Sequence, residues 1–102
     1  MTIEFHPEAY EEMLESARFY EKRVEGLGSD FLAAVQEATD RIKRFPDAAP
    51  LARAGIRKRL VSGFPFTILY ERRKDEIFIA ATIMHQQHRR PDYWEERVRS
   101  RS

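Results

Sequence analysis

The chain has 102 residues, a length that supports one domain with one modest hydrophobic core, and we treat residues 1–102 as that domain. Hydrophobic residues make up 42% of the sequence and aromatic residues 12%, which excludes a disordered chain. The absence of cysteine excludes disulfides and thiolate metal sites. Because the sequence also has no signal peptide and no apolar run of about 20 residues, we expect a cytoplasmic protein that does not contact a membrane.

Charged residues are distributed unevenly, although the net charge is only +1. Residues 1–25 carry seven acidic and three basic side chains. The segment of residues 53–59 has no acid and four basic residues: Arg53, Arg57, Lys58 and Arg59. This asymmetry predicts a basic surface that favours an anionic partner. The alternative is that these charges protect an edge strand from aggregation.

Two amphipathic helices are predicted after a short strand at residues 2–5. The first runs from Pro7 to about Glu25, and acidic residues complement its dipole at Glu8, Glu11 and Glu12. Helical spacing gives it an apolar face of Tyr10, Met13, Leu14, Ala17, Tyr20 and Val24, with Phe19 as a further candidate. Gly26 and Gly28 should end this helix.

The second helix is expected to be capped by Ser29 or Asp30 and to end before Pro46. Its apolar face is a continuous row of Phe31, Val35, Ala38, Ile42 and Phe45. The short connection between the two helices predicts an antiparallel helical hairpin.

Three strands are predicted in the second half of the chain. Residues 56–61 have a mixed pattern, whereas Phe66, Ile68 and Tyr70 alternate with other residues as in a strand with one buried face. Residues 77–84 are apolar on both faces, as expected of a central strand. A short helix can follow Pro91. The fold class is therefore α+β, with the N-terminal strand and the helical hairpin packed on one face of a small, mainly antiparallel sheet.

Polar and aromatic residues follow the last strand directly, and this is where we expect a functional site. They are His85, His88, Arg89, Arg90, Tyr93 and Trp94. The spacing of the two histidines suits metal ligands, but zinc needs three or four ligands and the remaining histidine, His6, is distant in sequence. We therefore expect no metal and no cofactor. The alternative for His85 is a strand-end histidine that bonds the backbone, and for Trp94 it is packing on the sheet.

Three features together resemble the RelE/ParE superfamily of bacterial type II toxins, and the ParE branch in particular. They are the helical hairpin, the strand Phe64-Pro65-Phe66-Thr67-Ile68-Leu69-Tyr70, and the ending His85-Gln-Gln-His88-Arg89-Arg90-Pro91-Asp92-Tyr93-Trp94. The resemblance covers nearly the whole chain. It implies a growth-inhibiting toxin that is neutralised by a ParD-like or RelB-like antitoxin in a hetero-oligomeric complex. It also implies plasmid stabilisation, and contact with operator DNA only through the antitoxin.

Members of this superfamily differ in their target: ParE-like toxins inhibit DNA gyrase, and RelE-like toxins cleave messenger RNA on the ribosome. The nucleases carry basic residues on the first strands, which Arg57, Lys58 and Arg59 match, and often a C-terminal tyrosine, which Tyr93 matches. They also carry a strand arginine, which would fall near Thr67, and a later one near Gln87. Thr67 departs from this pattern, whereas Arg89 lies only two residues beyond the later position. The Phe64-Pro65-Phe66 strand and the ending from Arg89 to Trp94 look more like the ParE branch. The resemblance therefore favours a gyrase inhibitor, which is not an enzyme, over a ribonuclease.

Two alternatives stay open. In a ribonuclease, His88, Arg89 and Tyr93 would be the catalytic residues, because cleavage needs a base, a cation at the phosphorane and an acid. A non-toxic protein-interaction domain would share the same core. The expected residues that bind the target or antitoxin are Arg57, Lys58, Arg59, His85, His88, Arg89, Arg90, Tyr93 and Trp94.

Overall fold

The computed structural model describes residues 1–85 and 92–101, and it contains one four-stranded sheet with helices on both faces. The elements in chain order are β1 (Thr2–Phe5), α1 (Pro7–Arg23), α2 (Leu27–Arg44), β2 (Arg57–Leu60), β3 (Phe66–Arg72), β4 (Glu76–Met84) and α3 (Glu95–Arg101). The predicted α+β class and the order of elements are confirmed. The predicted final helix is also present, and it runs from Glu95 to Arg101.

The sheet has the strand order β1-β4-β3-β2. The pairs β2–β3 and β3–β4 are antiparallel, and β1 pairs in parallel with β4, so the sheet is mainly antiparallel as predicted. Strand β4 has one extra residue, Ala80, between the pairs Leu69–Ala81 and Tyr70–Ile79. This bulge changes the face toward which the following side chains point.

The helical hairpin covers one face of the sheet through an apolar core. Aromatic rings join the two layers: the ring centroid of Phe31 on α2 lies 4.7 Å from that of Phe66 and 5.1 Å from that of Tyr20. The other face is covered in part by Trp94 and α3, which pack on a smaller cluster of Ile56, Leu69 and Ala81. Strand β4 is therefore buried from both sides, as its apolar sequence predicts.

The buried face of α1 differs from the predicted one. It consists of Ala9, Glu12, Met13, Ser16, Ala17 and Tyr20, whereas three of the predicted core residues are exposed: Tyr10, Phe19 and Val24. Two polar residues lie on the buried face, so hydrophobic spacing alone predicts a different face. Ser16 donates its hydroxyl hydrogen to the carbonyl of Glu12, and Glu12 itself is held by Arg97.

A glutamate of α1 caps the N-terminus of α2. The prediction that Ser29 or Asp30 caps this helix is therefore wrong. Gly26 is the N-cap residue of α2, and it supplies no side chain. The Glu21 carboxylate instead accepts hydrogen bonds from the backbone N–H groups of Gly26 and Gly28, both at 2.9 Å. The carboxylate therefore satisfies N–H groups at the helix terminus that no preceding carbonyl can reach.

The end of α2 also departs from the prediction at one residue. Phe31, Val35, Ala38 and Ile42 are buried as expected. Phe45 is 57% exposed, because the helix ends at Arg44 and the backbone of Phe45 is already non-helical, at φ −134°. A residue beyond the last turn no longer follows the helical period.

A buried ion pair holds α3 against the rest of the protein. Arg97 donates from Nη1 and Nη2 to the two carboxylate oxygens of Glu12, at 3.1 and 2.9 Å. Arg97 also donates to the carbonyl of Ala80, and the N–H of Thr82 donates to Glu12. Strand β1 pairs with β4 only as far as Ile79. The ion pair therefore forms hydrogen bonds with the backbone of the next part of β4, at Ala80 and Thr82. Burial opposes the charge of Arg97, but the hydrogen bonds and charge of Glu12 prevail and raise the pKa of Arg97.

None of the helices in the described part of the chain is long and apolar enough to cross a membrane.

Candidate functional site

A cavity of about 250 Å³ lies on the sheet face opposite the helical hairpin. Leu69 and Ile83 belong to the middle strands of the sheet and Trp94 to the turn before α3, and all three contribute apolar surface. Among the described residues, the wall also includes Ala52, Arg53, Lys58 and Thr67. This described part of the wall combines apolar surface with two cationic side chains and one hydroxyl group.

The two cations of the cavity differ in their partners. The Nε atom of Arg53 lies 2.7 Å from a carboxylate oxygen of Glu95 at the start of α3. Lys58 is exposed on the edge strand β2, and among the described residues no carboxylate forms an ion pair with it. Among the described residues of this cavity, Lys58 is therefore the cation whose charge is available to a partner.

His85 is fixed at the end of β4 by a side-chain contact with Thr67. Its Nε2 atom lies 2.7 Å from Thr67 Oγ1, and its backbone N–H donates to the carbonyl of Pro65 at 2.9 Å. The ring is thus held by a hydroxyl group and not by a backbone carbonyl. Thr67 occupies the position at which the resemblance to the nucleases requires an arginine.

Trp94 and Tyr93 are packed into the protein. Trp94 is 2% exposed, in contact with the small cluster of the sheet, which confirms the packing alternative for this residue. Tyr93 is half-buried, its hydroxyl oxygen is buried, and the guanidinium carbon of Arg97 lies 4.9 Å from the centre of its ring. The Trp94 ring is therefore not exposed for stacking on a nucleotide base.

The basic triplet of β2 is divided between the two faces of the sheet. Lys58 is on the cavity side, whereas Arg57 and Arg59 are half-buried on the side of the helical hairpin. Arg57 donates to the backbone carbonyls of Asp47 and Ala49, at 2.9 and 2.8 Å, and so holds the loop that follows α2. Arg59 lines a small notch beside α2. The three charges do not form one continuous surface.

Three of the predicted site residues, His88, Arg89 and Arg90, lie outside the described residues. Of the others, the structure brings Lys58, His85 and Trp94 to the cavity side of the sheet. Arg53 and Thr67 belong to the cavity although the sequence analysis did not propose them as site residues. Arg53 lay in the basic segment, and Thr67 was noted only as a departure from the nuclease pattern.

A solved structure titled "Chromosomal ParDE TA system from P. aeruginosa" contains a chain with a similar fold. The TM-score is 0.59 at 19% sequence identity, and the alignment covers 82% of this chain and 95% of that chain. At this identity the similarity shows the fold alone, and it confirms the expected RelE/ParE-like architecture. No protein-family model matches the sequence, and no curated protein does.

Proposed function

We propose that this protein is the toxin of a type II toxin–antitoxin pair, that its antitoxin binds across the cavity face of the sheet, and that it acts by binding DNA gyrase. The fold that it shares with a chain of a ParDE system is the observation that carries the toxin assignment. The antitoxin is the protein encoded beside it, operator DNA is contacted through that antitoxin, and the complex resides in the cytoplasm.

Inhibition by binding, without catalysis, is supported by the burial of the Tyr93 hydroxyl group and by the contact of Thr67 with His85. A tyrosine acts as a general acid only if its hydroxyl reaches the leaving group, and the Tyr93 hydroxyl oxygen is buried. Stabilisation of a phosphorane needs cations aimed at its oxygens. The strand position of the nuclease arginine holds Thr67, which is engaged with His85. A gyrase inhibitor needs neither group for chemistry.

A ribosome-dependent endoribonuclease is the second candidate, and it is favoured by the residues found at the cavity. Lys58 lines the cavity, and Thr67 in its wall holds the ring of His85. A lysine can bind a phosphate group, and a histidine can transfer a proton. His88 and Arg89 would complete the catalytic set in that case.

Toxicity of conservative variants separates these two mechanisms. We expect His88→Gln and Tyr93→Phe to inhibit bacterial growth as the wild type does, because both keep the size of the side chain and much of its contact surface. Purified wild-type protein should inhibit supercoiling by gyrase and leave translated messenger RNA intact. If both variants remain folded and antitoxin-bound but lose about 10²–10⁴-fold in RNA cleavage, the protein is a ribonuclease.

Co-expression tests the toxin assignment itself. We expect the chain alone to arrest growth and the product of the neighbouring gene to restore it and to co-purify with the chain. Normal growth at an expression level confirmed by immunoblotting would contradict the assignment and favour a non-toxic interaction domain.

A further inference from the structure

We infer that the cavity beside Lys58 is a socket for one large apolar side chain of an acidic partner segment, whose carboxylate pairs with Lys58. The inference rests on the proposed function, since the antitoxin is the partner in question. It adds the chemistry of the segment that this face accepts.

The size and lining of the cavity fit a side chain better than a whole ligand. Its volume of about 250 Å³ is below the roughly 300–1,000 Å³ of pockets that enclose drug-sized molecules. Its described apolar surface includes Leu69, Ile83 and Trp94, which also belong to the smaller buried cluster of the sheet. Pockets of this kind receive the aromatic or aliphatic anchors that dominate protein–protein interfaces.

The charge of the occupant follows from the partners of the two cations. Glu95 already neutralises Arg53, at a distance of 2.7 Å. Lys58 lines the same cavity and has no carboxylate partner among the described residues. A carboxylate next to the inserted side chain would complete the ion pair, and an acidic segment would also be attracted at long range.

Nucleic acid fits this cavity less well. Proteins that bind single strands offer exposed aromatic rings for base stacking, together with a basic groove along the backbone. Trp94 is only 2% exposed, so its ring gives no stacking platform. Among the described residues of the cavity wall, Lys58 is the cation without a carboxylate partner.

Two pairs of variants test the socket without disturbing the core. Ala52→Trp places a bulky ring at the mouth of the cavity, and its control is Ala48→Trp in the loop after α2; both alanines are exposed. Lys58→Glu reverses the free charge, and its control is Lys74→Glu in the turn between β3 and β4, where the lysine is also exposed. Circular dichroism on all four variants checks that each is folded before its affinity is compared.

The measurement is the affinity of each purified variant for the product of the neighbouring gene, by isothermal titration calorimetry at two salt concentrations. We expect Ala52→Trp and Lys58→Glu to bind the product of the neighbouring gene about tenfold more weakly or worse, because each substitution removes a desolvated contact of the interface. The controls should remain within about twofold of the wild type. Lys58→Glu should also reduce the dependence of affinity on salt.

The outcomes distinguish the socket from the proposed function. If the wild type binds and both cavity variants bind equally well, the socket is wrong and the toxin–antitoxin pair stands. If the wild type does not bind the product of the neighbouring gene, both the socket and the proposed toxin–antitoxin pair are wrong. If the wild type binds a labelled 20-nucleotide RNA and Lys58→Glu does not, the cavity is a nucleic-acid site and the acidic-partner inference is overturned.

Discussion

Arg97 of α3 binds Glu12 of α1 through both ends of its guanidinium group, although 85 residues separate them in the chain. Both side chains are less than 10% exposed. The guanidinium also donates to the carbonyl of Ala80, and the carboxylate accepts from the N–H of Thr82, so the pair bonds the backbone of β4 as well. The ion pair therefore contacts four parts of the fold: α1, β4, α3 and, through the ring of Tyr93, the turn before α3.

Replacing one partner of this pair should destabilise the protein strongly. Arg97→Met leaves the Glu12 carboxylate buried without its cation, and we expect a loss of about 3–5 kcal/mol in the free energy of unfolding. Lys74→Met, at an exposed position in the turn between β3 and β4, is the control and should cost less than about 0.5 kcal/mol. Urea unfolding measures both values. A loss below about 1 kcal/mol for Arg97→Met would show that the pair contributes little.

Gly28 should not tolerate alanine, although it lies in a helix. A Cβ atom there would lie 2.8 Å from the backbone carbonyl oxygen of Ala17 and 2.9 Å from Glu21 Oε1. Because the carbonyl belongs to α1 and cannot rotate away, the two helices must separate. We expect Gly28→Ala to cost about 1–3 kcal/mol by thermal or urea unfolding. Ser29→Ala, at the exposed next residue, should leave the stability nearly unchanged, and an equal loss in both variants would argue against the steric explanation.

The junction between α1 and α2 should weaken in acid. Hydrogen bonds from the N–H groups of Gly26 and Gly28 lower the pKa of Glu21 from its ordinary value of 4.5. A carboxyl group whose pKa falls on folding stabilises the protein above its unfolded pKa, and this contribution is lost as the pH falls through the lower, folded value. The difference in melting temperature between wild type and Glu21→Gln should thus be largest at about pH 7 and shrink below about pH 4.

The exposed Glu25 at the end of the same connection gives the control for that experiment. Glu25→Gln removes the charge of a carboxylate that does not cap α2 in the structure, so it should change the melting temperature less than Glu21→Gln does at neutral pH. A constant difference between wild type and Glu21→Gln from neutral to acidic pH would mean that the charge of Glu21 is not what stabilises the junction.

Arg57 and Lys58 are neighbours in sequence but should differ in what their removal changes. Arg57→Ala removes two hydrogen bonds from a guanidinium to backbone carbonyls, so we expect it to lower the free energy of unfolding by about 1–3 kcal/mol. Lys58→Ala should leave stability within about 0.5 kcal/mol and weaken binding to the antitoxin. Urea unfolding and calorimetry on the two variants check this. Equal effects of both substitutions on stability would contradict the division of the basic strand between two faces.

Local patterns in the sequence were sufficient for most of the secondary structure. Burial against a neighbouring layer repeats with the period of the strand or helix, so it leaves a readable pattern in the sequence. Three patterns of this kind were informative: the alternation of Phe66, Ile68 and Tyr70, the strand of residues 77–84 that is apolar on both faces, and the apolar face of α2 from Phe31 to Ile42. The errors arose where a distant residue changed the meaning of a local one. The sequence alone predicts that Glu12 is a solvated residue that complements the dipole of α1. In the folded protein it is buried and paired with Arg97.

The cap of α2 shows the same limit over a shorter range. Ser29 and Asp30 have the right chemistry for a cap, but the helix begins at Leu27, and Glu21 reaches its N–H groups from the preceding helix. Only the close packing of α1 on α2, which Gly28 permits, brings this carboxylate to the terminus.

The sequence by itself determined the α+β class, the helical hairpin, the burial of β4 and the position of the polar segment at its end, because each depends on residues close together in the chain. The tertiary structure decided which charges are available. Strand alternation placed Arg57 and Lys58 on opposite faces, but only the folded loop after α2 engages Arg57 and only the start of α3 neutralises Arg53. The cavity beside Lys58 exists because Trp94 packs against strands that precede it by about 10 to 40 residues, and such contacts between distant segments form only when the whole chain is folded.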